Sequence, residues 1–374
     1  MNSKCKLFAF YFPQFYPTPE NSKHWGSGFT DWNNVQEATP QFKGHRQPRV
    51  PLLGYYDQSE MSTIIQQVNL AKKYGLSGFS FYHYWFDGEL TLEKPVENFL
   101  ENKELDFKFI LTWANETWSK RWVGEDEVII FNQTHKNCKK TWTNHFNYLL
   151  KFWLDDRYEK IGGKPIFNIY NPHLIKNSKE MFDFWNQLAV KNGLPGIHFV
   201  AILVSPTFSL SMLNDYNGIL DFQPRYSTNN LKVSNSLVGK FIDRFRFLPE
   251  PLLNKLTSIR FKFAKVEVIN YQDVWDDIIN LASDPQLCLN KKRYYCAFVD
   301  WDNTARYKNK GKVYSGVSPA VFESNLARLI NKAQFDCIIY INAWNEWAEG
   351  TYLEPDLENK YSFLEAIKKC NFLP

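Results

Sequence analysis

The chain has 374 residues, with 44 Lys and Arg against 40 Asp and Glu, for a formal net charge of +4. That length buries a large core without metals or disulfides as staples, and so small a charge, with no nucleic-acid fingerprint, excludes a general nucleic-acid binder. The outlier is aromatic content, 17% with 13 Trp, 20 Tyr and 31 Phe; 17 Gly and 18 Pro are ordinary and exclude collagen-like and low-complexity chains.

Leu7–Phe12 is the first short, β-prone apolar run. It leads into a long excursion, Pro13–Tyr56, where Trp25, Phe29 and Trp32 argue for ordered packing. Ser59–Tyr74 places Met61, Ile64, Ile65, Val68 and Ala71 on one helical stripe, and Gly75 punctuates its end. Gly78–His83 and Phe107–Thr112 are the next runs. Lys139–Trp153 is helical, with Trp142, Phe146, Leu149, Leu150 and Trp153 in register. Pro165–Ile169 follows, then the helical Lys179–Lys191, closed by Gly193 and Pro195. His198–Val204 and Gly218–Phe222 precede a second excursion, Arg225–Asn270. Tyr294–Val299, the helical Pro319–Ala333 and Cys337–Ala343 complete the series.

The runs are continuous rather than alternating, as in strands buried on both faces of a parallel sheet. Eight of them separated by helices predict an α/β chain: one (β/α)8 TIM barrel over residues 1–374, with long βα-loop insertions after strands 1 and 6. A doubly wound open sheet is the competing architecture. It would place a Gly-rich loop after strand one, and Phe12 is followed instead by Pro13-Gln14-Phe15-Tyr16-Pro17.

The insertion at about 227–268 is basic and amphipathic. Lys232, Lys240, Arg244, Arg246, Lys255, Arg260, Lys262 and Lys265 face only Asp243 and Glu250, with Phe241, Phe245, Phe247, Phe261 and Phe263 interleaved. It is expected either to pack on the barrel with a solvated basic side or to touch a membrane surface through 232–265. No run approaches the roughly 18 apolar residues of a membrane span. The apolar start before Pro13 is too short for a secretory signal, and none of the six cysteines pairs at C-x-x-C spacing. The expectation is a reduced, cytoplasmic enzyme, peripheral at most to the inner membrane face, with no cofactor and no metal.

In such a barrel the site lies at the carboxyl ends of the strands. Strand two ends His83-Tyr84-Trp85, and strand three Trp113-Ala114-Asn115-Glu116-Thr117-Trp118 followed by Arg121-Trp122. Strand seven ends Trp301-Asp302-Asn303-Thr304-Ala305-Arg306, and strand eight Trp344-Asn345-Glu346-Trp347-Ala348-Glu349. Tryptophans gather on this face, with Trp32 supplied by the first excursion. Flat rings cover the apolar faces of sugars while amides, Arg, His and carboxyls bind the hydroxyls. The candidate substrate-binding set is therefore Tyr11, Trp32, His83, Tyr84, Trp85, Trp113, Asn115, Glu116, Trp118, Arg121, Trp301, Asn303, Arg306, Trp344, Asn345 and Trp347.

Glycosidic chemistry needs one carboxyl that donates a proton and one that accepts it. Glu346 and Glu349 stand three apart directly after a buried strand, and mutual repulsion should raise one pKa. Glu116 is the competing acid. The loop Arg306-Tyr307-Lys308-Asn309-Lys310-Gly311-Lys312, with Arg121, either clamps a phosphate or is a solvated charge run.

Several motifs together resemble one family. They are Phe10-Tyr11-Phe12-Pro13-Gln14-Phe15, Trp25-Gly26-Ser27-Gly28-Phe29-Thr30-Asp31-Trp32, Gly44-His45-Arg46-Gln47-Pro48, Tyr82-His83-Tyr84-Trp85-Phe86, Trp113-Ala114-Asn115-Glu116, Trp301 to Arg306 and Ile341 to Gly350. The chain resembles the WbsX-like glycosyltransferases, relatives of glycoside hydrolase family 99, from Phe8 to about Pro355. The resemblance implies a (β/α)8 barrel and an enzyme of cell-surface polysaccharide metabolism, such as O-antigen or capsule. It implies that Glu346 is the base toward the 2-hydroxyl of an α-mannoside-like sugar, closing a 1,2-anhydro intermediate. Glu349 is then the general acid/base, and its carboxyl is expected to titrate well above a free Glu. Ala348 stands where the hydrolases commonly have His. A transferase acting on a glycan or lipid-linked oligosaccharide acceptor, with a nucleotide- or lipid-diphosphate sugar donor, is the first expectation. An endo-α-mannosidase-like hydrolase is the second and a non-catalytic glycan binder the third.

Overall fold

A computed structural model describes residues 5–120, 125–206, 210–234, 266–283, 291–333 and 337–371. Eight strands run parallel: β1 (Cys5–Tyr11), β2 (Gly78–Phe86), β3 (Lys108–Trp113), β4 (Lys164–Ile169), β5 (His198–Leu203), β6 (Gly218–Asp221), β7 (Lys292–Phe298) and β8 (Cys337–Asn342). They pair in sequence order, and β1 bonds to both β2 and β8. The sheet therefore closes, leaving the barrel no open edge, and the doubly wound alternative is excluded.

Helices cover the outside. They are α1 (Met61–Lys73), α2 (Lys94–Glu101), α3 (Lys139–Trp153), α4 (Ser178–Lys191), α5 (Arg225–Ser234), α6 (Tyr271–Ala282), α7 (Pro319–Lys332) and α8 (Ser362–Asn371). Their starts carry local signals. The Asn270 side chain accepts from the N–H groups of Gln272 and Asp273 at the start of α6, and Ser318 caps α7 with Pro319 in its first turn. Strand β5 is followed by a short 3-10 turn, Leu210–Leu213, instead of a full helix.

Side chains alternate along each strand between two cores. Phe8 and Phe10 of β1, Ile110 of β3, Ile166 of β4, Leu220 of β6 and Tyr340 of β8 fill the barrel. Residues of the other parity, such as Leu7, Phe79, Phe109, Phe167 and Ile339, pack outward on Val68, Phe146, Leu149, Trp185 and Trp275 of the helices. The interior also holds a polar layer. Ser80 and Thr112 share a hydrogen bond of 2.7 Å, and Asn168 Nδ2 donates to Thr112 Oγ1 at 3.0 Å and to the Tyr340 hydroxyl at 3.2 Å. Every member has a partner, so the layer closes the barrel without a buried polar orphan.

The first excursion is ordered, with short helices Pro19–Trp25 and Asp31–Gln36 capped by Thr18 and Thr30. It is fastened across the barrel mouth. His45 Nε2 and Gln47 Nε2 each lie 2.8 Å from Asp302 Oδ2, and Arg49 Nη1 donates to Asp300 Oδ2 at 2.8 Å. The motif around Gly44–Pro48 thus acts as a strap. From residue 235 to 265 the second insertion lies outside the described residues, and the membrane-contact expectation for 232–265 falls largely there. Beyond it, Glu267–Asn270 pairs in parallel with Lys312–Ser315. Among the described residues no helix is long and apolar enough to cross a membrane.

Candidate active site

The floor of the site follows from strand parity. Two residues beyond the polar layer, the inward positions of β2, β3, β4 and β8 are Tyr82, Ala114, Tyr170 and Asn342. All four line a cavity of about 410 Å³ at the carboxyl ends of the strands. Glu116 and Trp118 form the wall after β3, Arg225 and Asn229 the wall after β6, and Trp301, Asn303 and Arg306 the wall after β7. Glu346 and Glu349 complete it.

The acid pair is held by a tight excursion after β8. Asn345–Glu346 pairs antiparallel with Thr351–Tyr352 around a 3-10 turn, Trp347–Glu349. Gly350 closes that turn at φ 64°, and a Cβ there would come within 2.7 Å of the Asp302 backbone nitrogen. Only glycine tolerates both conditions. The close approach is productive, because Asp302 N–H donates to the Glu349 carbonyl at 2.8 Å. The loops after β7 and β8 are thereby locked together.

Arg306 is the centre of the electrostatics. Its Nη1 donates to Glu349 Oε1, and its Nη2 donates to Asp31 Oδ2 at 2.9 Å and reaches Glu346 Oε2 at 3.4 Å. The guanidinium is 3% exposed, and Asp31 is fully buried. Three carboxyls thus surround one cation in a low-dielectric place, and holding all three ionised is costly. Burial first, then the Glu349 charge, push Glu346 well above the usual carboxylate range despite the opposing pull of Arg306. The sequence reading places the raised carboxyl at Glu349, the general acid; the carboxyl that burial raises in this site is that of Glu346. Burial likewise keeps the Tyr82 and Tyr84 phenols protonated, as neutral hydrogen-bonding groups beside the pair.

Of the sequence candidates, Tyr84, Glu116, Trp118, Trp301, Asn303, Arg306, Glu346 and Glu349 come together around the cavity. Others do not. Tyr11, His83, Trp85 and Trp113 have the outward parity and belong to the helix-facing core. Tyr11 OH donates to Gln67 Oε1 at 2.6 Å; Trp113 Nε1 donates to the Trp85 carbonyl at 3.1 Å. Trp85 stacks on His145 with a centroid distance of 4.7 Å. Trp344 is fully buried against Phe79. Trp347 stacks on Tyr352 and donates to Glu354 at 2.7 Å, and Trp32 packs on Phe15 and Trp347. Asn345 clamps Phe12 through both its N–H and its carbonyl, and Asn115 does the same to Asn171. These residues support the site from behind. Arg121 and Trp122 lie outside the described residues. In the cationic loop, Lys308 and Lys310 are exposed and away from the cavity, while Arg306 is engaged by carboxyls. Of the two readings of that loop, Lys308 and Lys310 follow the solvated charge run, while Arg306 and Lys312 line the cavity.

Sequence reading missed Asp31, Tyr82, Tyr170 and Arg225. Asp31 lies in the segment Trp25–Trp32 and Tyr82 opens Tyr82–Phe86. The signal for Tyr82 and Tyr170 was their parity with Ser80 and Asn168, polar residues inside otherwise apolar strands. Among the described residues no group of three or more His, Cys, Asp or Glu is arranged to hold a metal ion.

His83 has a structural role that can be tested. Its Nε2 lies 2.8 Å from His145 Nε2, one ring donating to the other. Burial lowers His83 from 6.5 to about 3 and His145 well below its ordinary value. The unfolded chain then binds more protons than the folded one between those two pH values, so stability is full above about 6.5 and falls as pH drops toward 3. A His83→Gln/His145→Gln double variant is expected to lose less stability than the unmodified protein on acidification from about pH 7.5 to about 4.5. Urea titrations at the two pH values read the difference, and equal losses would refute the assignment.

The sequence model of the family described as Glycosyltransferase WbsX matches residues 7–367. WxcX of Xanthomonas campestris pv. campestris, described as uncharacterized, is 31% identical over 372 residues, covering 97% of this chain and 49% of that protein. The chain thus spans about half the length of the curated relatives it matches. The GH99 endo-α-mannosidase from Bacteroides thetaiotaomicron superimposes with a TM-score of 0.59 at 14% identity, covering 98% of this chain and 95% of that one. A glycoside hydrolase-like protein gives 0.59 at 11% identity, covering 100% and 95%. At these identities the likeness establishes the (β/α)8 fold. The family match runs from β1 into α8, and the chain belongs to the WbsX glycosyltransferase family, a family of carbohydrate-active enzymes.

Proposed function

We propose that this chain is a carbohydrate-active enzyme of cell-surface polysaccharide biosynthesis, such as O-antigen or capsule, that transfers a glycosyl group with retention. The observation that carries this reading is the pair Glu346 and Glu349, held by one buried guanidinium at the wall of an aromatic cavity. Trp118 and Trp301 offer ring faces to a sugar, and Asn303, Glu116 and the phenols offer hydrogen bonds.

Glu346 is the more enclosed of the two, and its raised proton affinity strengthens it as a base once it is deprotonated. In this reading it takes the proton of the sugar 2-hydroxyl as the 2-oxygen closes on the anomeric carbon. Glu349, nearer the opening, protonates the departing oxygen. The acceptor hydroxyl then gives its proton to Glu349 and opens the 1,2-anhydro ring at the anomeric carbon, and Glu346 returns the first proton to the 2-oxygen. Two displacements preserve configuration, and an α-mannoside suits them because its 2-oxygen is anti to the leaving oxygen. The acceptor is a glycan or lipid-linked oligosaccharide and the donor an activated sugar. The enzyme works in the cytoplasm, at the inner membrane face, where both meet.

The test is product analysis. The protein is incubated with labelled nucleotide- and lipid-diphosphate mannose, with and without a lipid-linked mannosyl acceptor, and separately with α-mannan. Label appearing in the acceptor with retained configuration supports transfer. Free reducing ends from α-mannan, formed without acceptor, would replace transfer by hydrolysis at the same site. Sugar binding without turnover would leave a glycan binder.

A further inference from the structure

Among the described residues the arginines other than Arg225 are tied to acids. Arg46, Arg49, Arg157, Arg293, Arg306 and Arg328 each hold a carboxylate oxygen within 2.9 Å. Arg225 differs. It is exposed, opens α5 and lines the cavity, and among the described residues no carboxylate lies within ion-pair distance of it. Its Nη1 donates to the Tyr170 hydroxyl at 3.3 Å, which steadies the side chain against the floor. Glu116 and Glu349 act on it only at longer range.

Its neighbours are already engaged. Lys312 lines the same side, but its ammonium stands 3.7 Å from Glu267. Asn229 Nδ2 donates to the Val204 carbonyl at 2.8 Å, and Thr228 Oγ1 to the Pro224 carbonyl at 2.8 Å. The first N–H groups of α5 are taken as well, Tyr226 by Phe222 and Thr228 by Pro224. What remains is a planar fork of donors directed at the cavity.

We propose that Arg225 is the anion-reading residue of this cavity, taking an oxyanion of the substrate that presents two oxygens side by side: a phosphate of a glycosyl diphosphate or the carboxylate of a uronic acid residue. A guanidinium matches both oxyanions with two parallel hydrogen bonds, which an ammonium does not. The fork lines the same cavity as Glu116 and the general acid Glu349, both of which feel its charge, which puts a bound anion on the leaving-group side of the bond being broken. That placement rests on the acid–base reading above; the anion contact itself does not. The cation also offsets the repulsion that Glu346 and Glu349 would exert on an incoming anion.

Calorimetric titration of the full chain with three probes tests this: inorganic pyrophosphate, methyl α-glucuronide and the neutral methyl α-mannoside. Arg225→Gln is expected to weaken an anionic probe by about 10- to 100-fold while shifting the neutral one by less than about threefold. Arg225→Lys, which keeps the charge and loses the fork, should fall between. A loss confined to pyrophosphate assigns a phosphate, and one confined to the glucuronide assigns a uronate. Undiminished binding of both anions to Arg225→Gln overturns the proposal, as does equal weakening of all three probes in a variant with an unchanged melting temperature. The two readings separate cleanly. Arg225-dependent pyrophosphate binding with no binding of methyl α-mannoside keeps the anion site and removes the sugar site. The reverse pattern keeps the sugar site alone.

Discussion

Glu346→Gln and Glu349→Gln are each expected to lower turnover by about 10²-fold or more, without loss of the folded state. The two effects have different origins. Glu346 would lose its role as the base toward the 2-hydroxyl, and Glu349 the proton for the departing oxygen. Neither change should destabilise the protein, because the site already crowds three carboxyls around Arg306, and a neutral amide relieves that crowding. Activity loss with an equal or higher melting temperature is thus the expected signature. The pH profile adds a second check. A base works when deprotonated, so activity falls as pH drops through its folded pKa. Because burial and Glu349 raise Glu346, that acid limb should lie above the ordinary carboxylate range. Removing the Glu349 charge by Glu349→Gln should shift the limb of the residual activity downward, toward lower pH, because one raising influence is gone. Turnover retained within about tenfold in either single variant would remove that residue from the reacting pair.

Much of the barrel was legible in the chain, for a physical reason. Strands buried on both faces must be apolar throughout, and runs such as Cys337–Ala343 have few other uses. That same uniformity hid the site. Where both faces are apolar, polarity no longer reports which parity points inward, and His83, Trp85 and Trp113 looked as available as Tyr82 and Tyr84. The polar layer broke the tie. Ser80, Thr112 and Asn168 lie inside the barrel, and counting two residues onward from each reaches Tyr82, Ala114 and Tyr170, the cavity floor. The acid pair was easier to find, since Glu346 and Glu349 leave the barrel regime in a turn fixed by Gly350. Long-range closure could not be read. Asp31 meets Arg306 across 275 positions of sequence, and His45 meets Asp302 across 257. No local pattern records such pairings. Trp32, Trp344 and Trp347 show the same limit from the other side: tryptophan follows the strand ends here as much to wall the site from behind as to face a ligand.

Arg306→Met is expected to destabilise the fold by about 3–5 kcal/mol near neutral pH, the cost of removing one partner from a buried ionic group. Asp31 is fully buried, and Asp31, Glu346 and Glu349 would all lose their shared cation. The sign of the pH dependence follows. Without Arg306 these carboxyls hold protons more tightly folded than unfolded, so the folded state binds more protons above the unfolded pKa of about 4. Stability contributed by the protonated acids is then present at low pH and lost as pH rises through their raised folded values. The gap between Arg306→Met and the unmodified protein should therefore widen from pH 5 to pH 8, and urea titrations at the two ends measure it. Asp31→Asn placed in the Arg306→Met background should recover part of the loss, since it removes the most enclosed of the stranded charges, whereas Asp31→Asn alone should not stabilise to the same extent. A gap that stays constant with pH, or a loss below about 1 kcal/mol, would show that the guanidinium is not what keeps the acid cluster in place.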